Sequence, residues 1–165
     1  MIAADTNLLV YSHRIDSPWH EAARECIRSL AEGWEPWAIA WPCLHEFYAV
    51  VTHPRIYRPP STHLEAGAQI EAWMTSPRLV LLAENDGYWN ELRHLLDRGR
   101  VVGPIVHDAR VAALCLLHGV RELWSADRDF GRFPGLHVRN PPAIKALVRR
   151  CCKRPPIGCA HKVLR

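Results

Sequence analysis

The alternation of short apolar segments with helical patterns constrains the fold of this chain more than any other feature. Five segments have the composition of buried strands, and they are 2–5, 36–41, 78–83, 121–126 and 136–140. Apolar residues at helical spacing lie between them, at 18–30, from 42 to about 53, from about 62 to 75, at 85–99 and at 103–119. Strands separated by helices favour crossover connections, which make neighbouring strands parallel. The pattern therefore predicts an α/β fold with a mostly parallel sheet between helical layers.

Length and composition fit one globular domain. The chain has 165 residues, of which 48% are hydrophobic and 23% charged, and these values are ordinary for a globular protein with a proper core. No apolar run reaches about 18 residues, and no basic segment followed by a long apolar stretch opens the chain. We therefore expect neither a membrane span nor a signal peptide, and we expect a cytoplasmic location.

Charge divides the chain into a mildly acidic body and a basic tail. Residues 1–142 contain all 17 acidic side chains and 14 Lys and Arg, whereas residues 143–165 contain seven Lys and Arg and no acidic residue. We expect residues 1–142 to form the domain. Residues 143–165 are expected to be a flexible basic extension, which either attracts the phosphates of a nucleic acid or is simply solvated.

The six cysteines do not indicate a disulfide framework in a chain of this size without a secretion signal. Cys26, Cys43 and Cys115 lie in helical or core-like patterns, where a reduced cysteine acts as a small hydrophobic residue. The tail adds four residues of the types that bind zinc, which are Cys151, Cys152, Cys159 and His161. Their spacing matches no common zinc module, so a zinc site is not the favoured interpretation.

Acidic residues occur where an open parallel sheet forms its ligand sites, outside the carboxyl ends of the strands. Asp5 ends the first strand, Glu46 lies in the first turns of the helix after the second, and Asp108 lies near the start of another helix. Asp127 and Asp129 directly follow a later strand. Each acid also has a structural explanation, because Asp caps helices and the helix dipole favours acids in the first turn. Their common location favours a functional site.

Carboxylates that lie close together repel one another, which raises their pKa values. A divalent cation removes this repulsion, and ligation by oxygen alone suits Mg²⁺ or Mn²⁺. Such a cation activates water and clamps a phosphate. The acidic cluster therefore predicts a metal site, in which ligation explains why Asp5 stands at the end of an apolar strand.

Four short motifs occur in order along the chain, and they are ADTNLL at 4–9, LHEF at 44–47, HDARVAA at 107–113 and SADRDF at 125–130. Together they resemble the PIN-domain ribonucleases, and most of all the VapC-type toxins of type II toxin–antitoxin systems. The resemblance covers about 1–142. It implies a PIN-like three-layer α/β/α sandwich and hydrolysis of RNA phosphodiester bonds that depends on Mg²⁺ or Mn²⁺.

The resemblance also implies roles for the acidic residues. Asp5, Asp108 and Asp127 match the metal ligands of the family, and Glu46 matches the residue that orients or deprotonates the attacking water. Asp129 is the alternative to Asp127, which is favoured because it follows the strand most closely. Four neighbouring residues are accessory candidates: Thr6 and Asn7 as hydrogen-bond donors, Ser125 where the family often has Thr, and Arg128 as an RNA contact.

The family implies RNA as substrate, a cognate antitoxin as partner, and a homodimer. Three alternatives stay open: a PIN nuclease of RNA processing, a catalytically silent PIN-fold binding module, and a metal-dependent hydrolase of small phosphoesters. The presence of all four acids argues against the silent module. Because the body is mildly acidic, RNA contacts are expected from the tail or from single arginines, with Arg14, Arg55 and Arg58 as further candidates.

Aromatic and histidine side chains offer a second kind of RNA contact, because exposed rings stack nucleobases. Core packing is the favoured interpretation for the tryptophans beside or within predicted elements, which are Trp34, Trp37, Trp41, Trp73, Trp89 and Trp124. Three histidines lie close to the motifs, and they are His45, His107 and His118. A substrate contact is not the favoured role for them, since neighbours on a helix point in different directions.

Overall fold

A computed structural model describes residues 1–141. The basic extension predicted at 143–165, and the zinc alternative within it, lie outside the described residues.

Five short strands alternate with helices along the described chain. The strands are β1 (Ile2–Ala4), β2 (Trp37–Ala40), β3 (Leu79–Leu82), β4 (Glu122–Trp124) and β5 (Val138–Arg139). The helices are α1 (Thr6–His13), α2 (His20–Ala31), α3 (Trp41–Val51), α4 (His63–Met74), α5 (Tyr88–Gly99) and α6 (Val106–Leu117). Two single 3-10 turns complete the set, at Gly103–Ile105 and Asp129–Arg132.

The strands form one sheet in the order β3-β2-β1-β4-β5. Every neighbouring pair is parallel, and Ala3 at the centre of β1 pairs with Ala38 on one side and Leu123 on the other. The sequence-based prediction of an α/β fold with a parallel sheet between helical layers is therefore confirmed.

The strands are added to the sheet on both sides of β1. From β1 the chain moves outward to β2 and β3, and it then crosses back to β4 and β5 on the other side of β1. With the right-handed crossovers that parallel strands require, α1 to α4 cover one face of the sheet, and α5 and α6 cover the other. Consistent with this, α1 packs on α2 and α3, and α5 packs on α6. The direction changes between β1 and β4, where such folds open a crevice at the carboxyl ends of the strands.

Local sequence signals explain several element boundaries. Helix α4 begins with a capping box, in which the Thr62 hydroxyl oxygen accepts from the backbone N–H of Glu65 and the Glu65 carboxylate accepts from the backbone N–H of Thr62. Pro42 occupies the first turn of α3, where its missing N–H costs nothing. Gly119 follows α6 with a φ of +63°, a left-handed conformation that glycine adopts without strain.

Helix α1 is the element that the sequence pattern did not predict. The pattern predicts no helix over 6–13, because the apolar residues Leu8, Leu9 and Val10 are consecutive. In the structure all three are buried, and α1 packs against α2 and α3. A helix that is apolar on most sides has no clear helical period.

The prediction that the tryptophans pack in the core is only partly correct. Trp37 in β2 and Trp73 in α4 are buried, whereas Trp34 is 87% exposed, Trp89 60% and Trp41 38%. The difference has a positional cause, because Trp34 precedes β2 and Trp41 follows it at the surface. Within the described residues, we find no helix that is long and apolar enough to span a membrane.

Candidate active site

Asp5 lies where the chain leaves β1 and enters α1. Its backbone N–H donates to the carbonyl oxygen of Trp124 at 3.1 Å, which extends the pairing of β1 with β4 by one bond. The residue is 5% exposed. Although its backbone occupies the N-cap position of α1, its side chain makes no capping hydrogen bond. Helix capping therefore does not explain why this carboxyl is buried.

Two neutral side chains hold one oxygen of the Asp5 carboxyl. Oδ2 accepts from Asn7 Nδ2 at 2.6 Å and from the Ser125 hydroxyl at 2.7 Å. Asn7 lies in the first turn of α1 and Ser125 directly follows β4, so the contacts join the two strand ends at the crevice. The Asn7 side chain also accepts from the backbone N–H of Ala126 at 3.1 Å. Asn7 thus fixes the turn after β4 against α1.

Ser125 connects Asp5 to Asp127. Its buried hydroxyl donates to Asp5, accepts from Asn7 Nδ2 at 2.9 Å, and accepts from the backbone N–H of Asp127 at 2.9 Å. A hydroxyl can make one donation and two acceptances, so these three contacts use its full capacity. The position of Asp127 therefore depends on the same hydroxyl that orients Asp5.

Glu46 joins the site from α3. Its Oε2 accepts a hydrogen bond from the Thr6 hydroxyl at 2.7 Å. Thr6 is buried and opens α1, immediately after Asp5. The two polar residues after Asp5 therefore hold different partners, since Thr6 contacts Glu46 and Asn7 contacts Ser125.

Burial and negative neighbours raise the pKa of Asp5 to about 7, with burial as the largest cause. The carboxylates of Glu46 and Asp108 raise this pKa further, while the hydrogen bond from Ser125 partly offsets them. Asp108 stands in the first turn of α6 and is 4% exposed. The predicted site residues Glu46 and Asp108, from two separate helices, thus lie close enough to Asp5 to raise its pKa.

Asp127 and Asp129 differ in their surroundings. Oδ1 of Asp127 accepts from the backbone N–H of Asp129 at 2.9 Å, at the first residue of the following 3-10 turn. The Asp129 side chain is 57% exposed and pairs with Arg132 at 3.2 Å. Arg128, between them, is exposed. Asp127 is therefore linked to the buried Ser125 network, whereas Asp129 is committed to a surface ion pair.

Two cysteines near Asp5 were interpreted from the sequence as simple core residues. Cys43 is buried in α3, with its Sγ 3.9 Å from Asp5 Oδ1. Burial, and then the charge of Asp5, raise the pKa of the Cys43 thiol well above its usual value and that of Cys115 to about 12. Both thiols are therefore neutral at physiological pH. No feature of the sequence around Cys43 indicated this contact.

The donor set suits a divalent cation that binds oxygen. Asp5, Glu46 and Asp108 offer carboxylates on a buried site where negative charges oppose one another, and a bound cation would relieve that opposition. Within residues 1–141, no three His, Cys, Asp or Glu side chains converge as closely as a metal held by the protein alone requires. Mg²⁺ typically takes one or two carboxylates and completes its shell with water and phosphate. The residues present fit that mode of binding.

The arginines proposed as RNA contacts are not equivalent. The Arg14 side chain is 11% exposed, and it pairs with Asp16 at 2.7 Å and lies 4.1 Å from the centre of the Tyr57 ring. Its Nη2 also donates to the carbonyl oxygen of Pro59 at 3.2 Å. Arg14 therefore fastens the loop after α3 to α1, whereas Arg55 and Arg58 are exposed.

Comparison of the sequence with curated proteins gives matches over most of the chain. Ribonuclease VapC48 of Mycobacterium tuberculosis is 31% identical over 137 residues, which are 83% of this chain and 94% of the relative. VapC ribonuclease Mb2897 of Mycobacterium bovis is 33% identical over 141 residues, which are 86% of this chain and 95% of the relative. No protein-family model matches the chain.

Comparison with solved structures gives the same architecture. The crystal structure of VapBC2 from Rickettsia felis, bound to a DNA fragment from its promoter, covers 84% of this chain and 98% of the matched chain, with a TM-score of 0.59 and 18% identity. Mycobacterium tuberculosis VapC20, described as a sarcin–ricin loop cleaving toxin, covers 79% of this chain and 93% of the matched chain, with a TM-score of 0.57 and 17% identity. The structures support the fold, and the curated relatives carry the family assignment. This protein belongs to the VapC family of PIN-domain ribonuclease toxins.

Proposed function

We propose that this protein is an endoribonuclease that hydrolyses RNA phosphodiester bonds with Mg²⁺ or Mn²⁺ at the site of Asp5, Asp108 and Asp127, where the cation takes one or two carboxylates directly and reaches the rest through water. One observation carries the proposal. The buried Asp5 carboxyl faces Glu46 and Asp108, while its hydrogen-bonding partners Asn7 and Ser125 are neutral. A site that concentrates negative charge in this way is suited to a cation and a phosphate from outside. The curated relatives, which are named ribonucleases, support RNA as the substrate.

The residues of the site divide into three tasks. Asp5 presents Oδ1, since Asn7 and Ser125 hold Oδ2. Glu46 accepts the Thr6 hydroxyl at Oε2, and its carboxylate is proposed to receive the proton of the attacking water. Ser125 and Asn7 act as positioning residues, because they orient the carboxyl of Asp5 and the backbone of Asp127. A bound cation would polarise the scissile phosphate and lower the pKa of a water molecule.

RNA cleavage by the purified protein without its antitoxin tests the proposal. Total cellular RNA is incubated with Mg²⁺ or Mn²⁺, and with EDTA, and the fragments are mapped. Asp5→Asn and Asp108→Asn are the site variants. Asp97→Asn is the matched control, because the side chain of Asp97 is 73% exposed and pairs with Arg93 on α5.

We expect discrete fragments that vanish with EDTA and in both site variants, and that persist in Asp97→Asn. Intact RNA from folded protein that binds Mn²⁺ would instead indicate the silent binding module. Cleavage that survives both site variants would contradict the acidic site. Hydrolysis of a generic phosphoester that RNA does not inhibit would favour the small-substrate hydrolase.

We also propose that a cognate antitoxin and a second copy of the chain are partners, and that the protein acts in the cytoplasm, where its substrate is. The crystal structures of VapBC2 and of FitAcB from Neisseria gonorrhoeae support an antitoxin by similarity. Growth arrest on expression, relieved by the product of a small adjacent gene, would support the toxin over a nuclease of RNA processing. Light scattering on the purified chain measures the homodimer directly.

A further inference from the structure

The outer face of α3 carries a row of exposed rings that take no part in the acidic site. Trp41, His45 and Tyr48 are four and three residues apart, so they share one face of the helix. Trp41 is 38% exposed and Tyr48 39%. The centres of the Trp41 and His45 rings lie 5.9 Å apart, with their planes tilted by 35°. We call these three residues the aromatic stripe.

The aromatic stripe borders a hollow of about 330 Å³, which Leu44 and Ile70 also line. This volume lies at the lower end of the range for small-molecule sites. The five residues around the hollow include no carboxylate. The hollow can therefore receive a flat aromatic group without repelling a phosphate attached to it.

The aromatic stripe begins at the edge of the sheet that holds Asp5. Trp41 directly follows β2, β2 neighbours β1, and Asp5 directly follows β1. His45 precedes Glu46, and successive residues on a helix point about 100° apart. The aromatic stripe therefore lies beside the acidic side chains and not among them. An RNA strand with a phosphate at Asp5 and Glu46 would bring neighbouring bases past these rings.

We propose that the aromatic stripe is a stacking subsite for unpaired bases that flank the cleaved phosphodiester of single-stranded RNA. The subsite rests on the proposed function, because it assumes an RNA strand at the acidic site. Base–aromatic stacking tolerates every base, since all have a π-face. It requires bases that are not enclosed in a duplex. The subsite therefore selects for single strands, whatever their sequence.

Fluorescence anisotropy with a labelled 12-nucleotide single-stranded RNA of mixed sequence tests the subsite. The measurement uses the full chain with Ca²⁺ in place of Mg²⁺ or Mn²⁺, so that the acidic site can hold a cation that binds oxygen, and the RNA is checked to be intact afterwards. Trp41→Ala and Tyr48→Ala are each expected to weaken binding roughly 5- to 100-fold, which is the usual effect of losing one stacked ring. Trp41→Phe and Tyr48→Phe retain a ring and should remain within about threefold of the wild type.

Trp34→Ala is the matched control. Trp34 and Trp41 flank the same strand, β2, and Trp34 is the more exposed of the two. Its removal should leave RNA affinity unchanged. Abasic sites in the RNA provide a test that changes no protein residue. RNA with an abasic site at the stacked position should bind the wild type more weakly than intact RNA does. The Trp41→Ala variant should bind the two RNAs with nearly equal affinity.

Unchanged single-strand affinity in Trp41→Ala and Tyr48→Ala would overturn the subsite. Equal losses for the single strand and for a duplex of the same sequence would also overturn it, since stacking requires free bases. If the variants lose a dimer in light scattering while RNA affinity is retained, the stripe is an interface between copies of the chain. Cleavage assays in Mn²⁺ run in parallel separate this proposal from the proposed function. Normal cleavage without any stacking effect removes only the subsite, and stacking without cleavage removes only the nuclease.

Discussion

Glu122 and Asp5 lie at opposite ends of the β1–β4 pair, and the protein treats their carboxyl groups differently. Glu122 opens β4, and its carboxylate has His137 Nδ1 at 3.2 Å and Arg139 Nη1 at 3.6 Å, with the Trp124 indole as a further donor. Asp5 follows β1 at the other end, where its partners Asn7 and Ser125 are neutral and the charges of Glu46 and Asp108 oppose it.

We infer that the difference separates a structural carboxylate, Glu122, from the carboxyl that we propose binds a metal, Asp5. At Glu122 the chain itself supplies the positive charge, so the carboxylate is compensated when the fold is complete. At Asp5 the residues of the described domain supply neutral donors and two more carboxylates, so a positive group from outside residues 1–141 would complete the compensation. The partners of a buried carboxyl therefore indicate its function better than its burial does.

The largest difference between Asp5 and Glu122 is expected in the rate of RNA cleavage. Asp5→Asn should reduce RNA cleavage by about 10³-fold or more, because a lost metal ligand removes several kcal/mol of transition-state stabilisation. Glu122→Gln should leave the cleavage rate within about threefold of the wild type, since its contacts serve the sheet. Initial rates on one mapped RNA fragment measure both. A similar loss in Glu122→Gln would show that the two carboxylates are not functionally distinct.

The next effect is on stability and has a defined sign. The pKa of Asp5 is about 7 in the fold and about 4 in the unfolded chain, so the folded state binds more protons between these values. The free energy of unfolding should therefore fall as the pH rises from about 4 to 7. Above pH 7 the stability that the protonated Asp5 carboxyl contributes is lost. Asp5→Asn should be more stable than the wild type at pH 8 by on the order of 3 kcal/mol.

Urea unfolding in EDTA at pH 5 and pH 8 measures this contribution. Adding Mn²⁺ should stabilise the wild type at pH 8 and have less effect on Asp5→Asn. Glu122→Gln serves as the opposite case, because removing one partner of its ion pairs should lower stability. If Asp5→Asn is destabilised at pH 8 in EDTA, the Asp5 carboxylate is already compensated by the chain.

A smaller effect is expected from the neutral donors. Ser125→Ala removes the hydrogen bond to Asp5 and the acceptor for the backbone of Asp127. Residues that orient metal ligands typically contribute 10- to 100-fold in metal affinity or activity, and we expect a loss in that range. Ser125→Thr retains the hydroxyl and should recover most of it. Mn²⁺ titration and cleavage rates together distinguish weaker metal binding from slower turnover.

The smallest effect concerns the choice between the two acids after β4. Asp129→Asn should change cleavage by less than about threefold, because Asp129 is exposed and pairs with Arg132 at the surface. Asp127→Asn should cost considerably more, as Asp127 is tied to Ser125. Cleavage rates of the two variants under identical conditions decide the matter. A larger loss in Asp129→Asn would reassign the fourth acid.

Much of the architecture could be predicted because it depends on local patterns. The strands are short apolar segments and five of the six helices show apolar residues at helical spacing, and the alternation of the two predicted the parallel sheet. Helix α1 was missed because its buried residues are consecutive, and Trp41 was misplaced because it stands one residue beyond β2. At both positions the neighbours in space, and not the local sequence, decide what is buried.

The sequence by itself determined which chemical groups are present and where each stands relative to a strand. Asp5 after β1 and Asp127 after β4 follow from the order of elements, and the rule for open parallel sheets places both at one crevice. The contacts of each group depend on how the elements pack in three dimensions. Asn7 and Ser125, far apart in the chain, share the Oδ2 atom of Asp5, and Thr6 holds Glu46. Hydrogen bonds depend on distances of a few tenths of an ångström, and such distances are set by the packing of several elements at once.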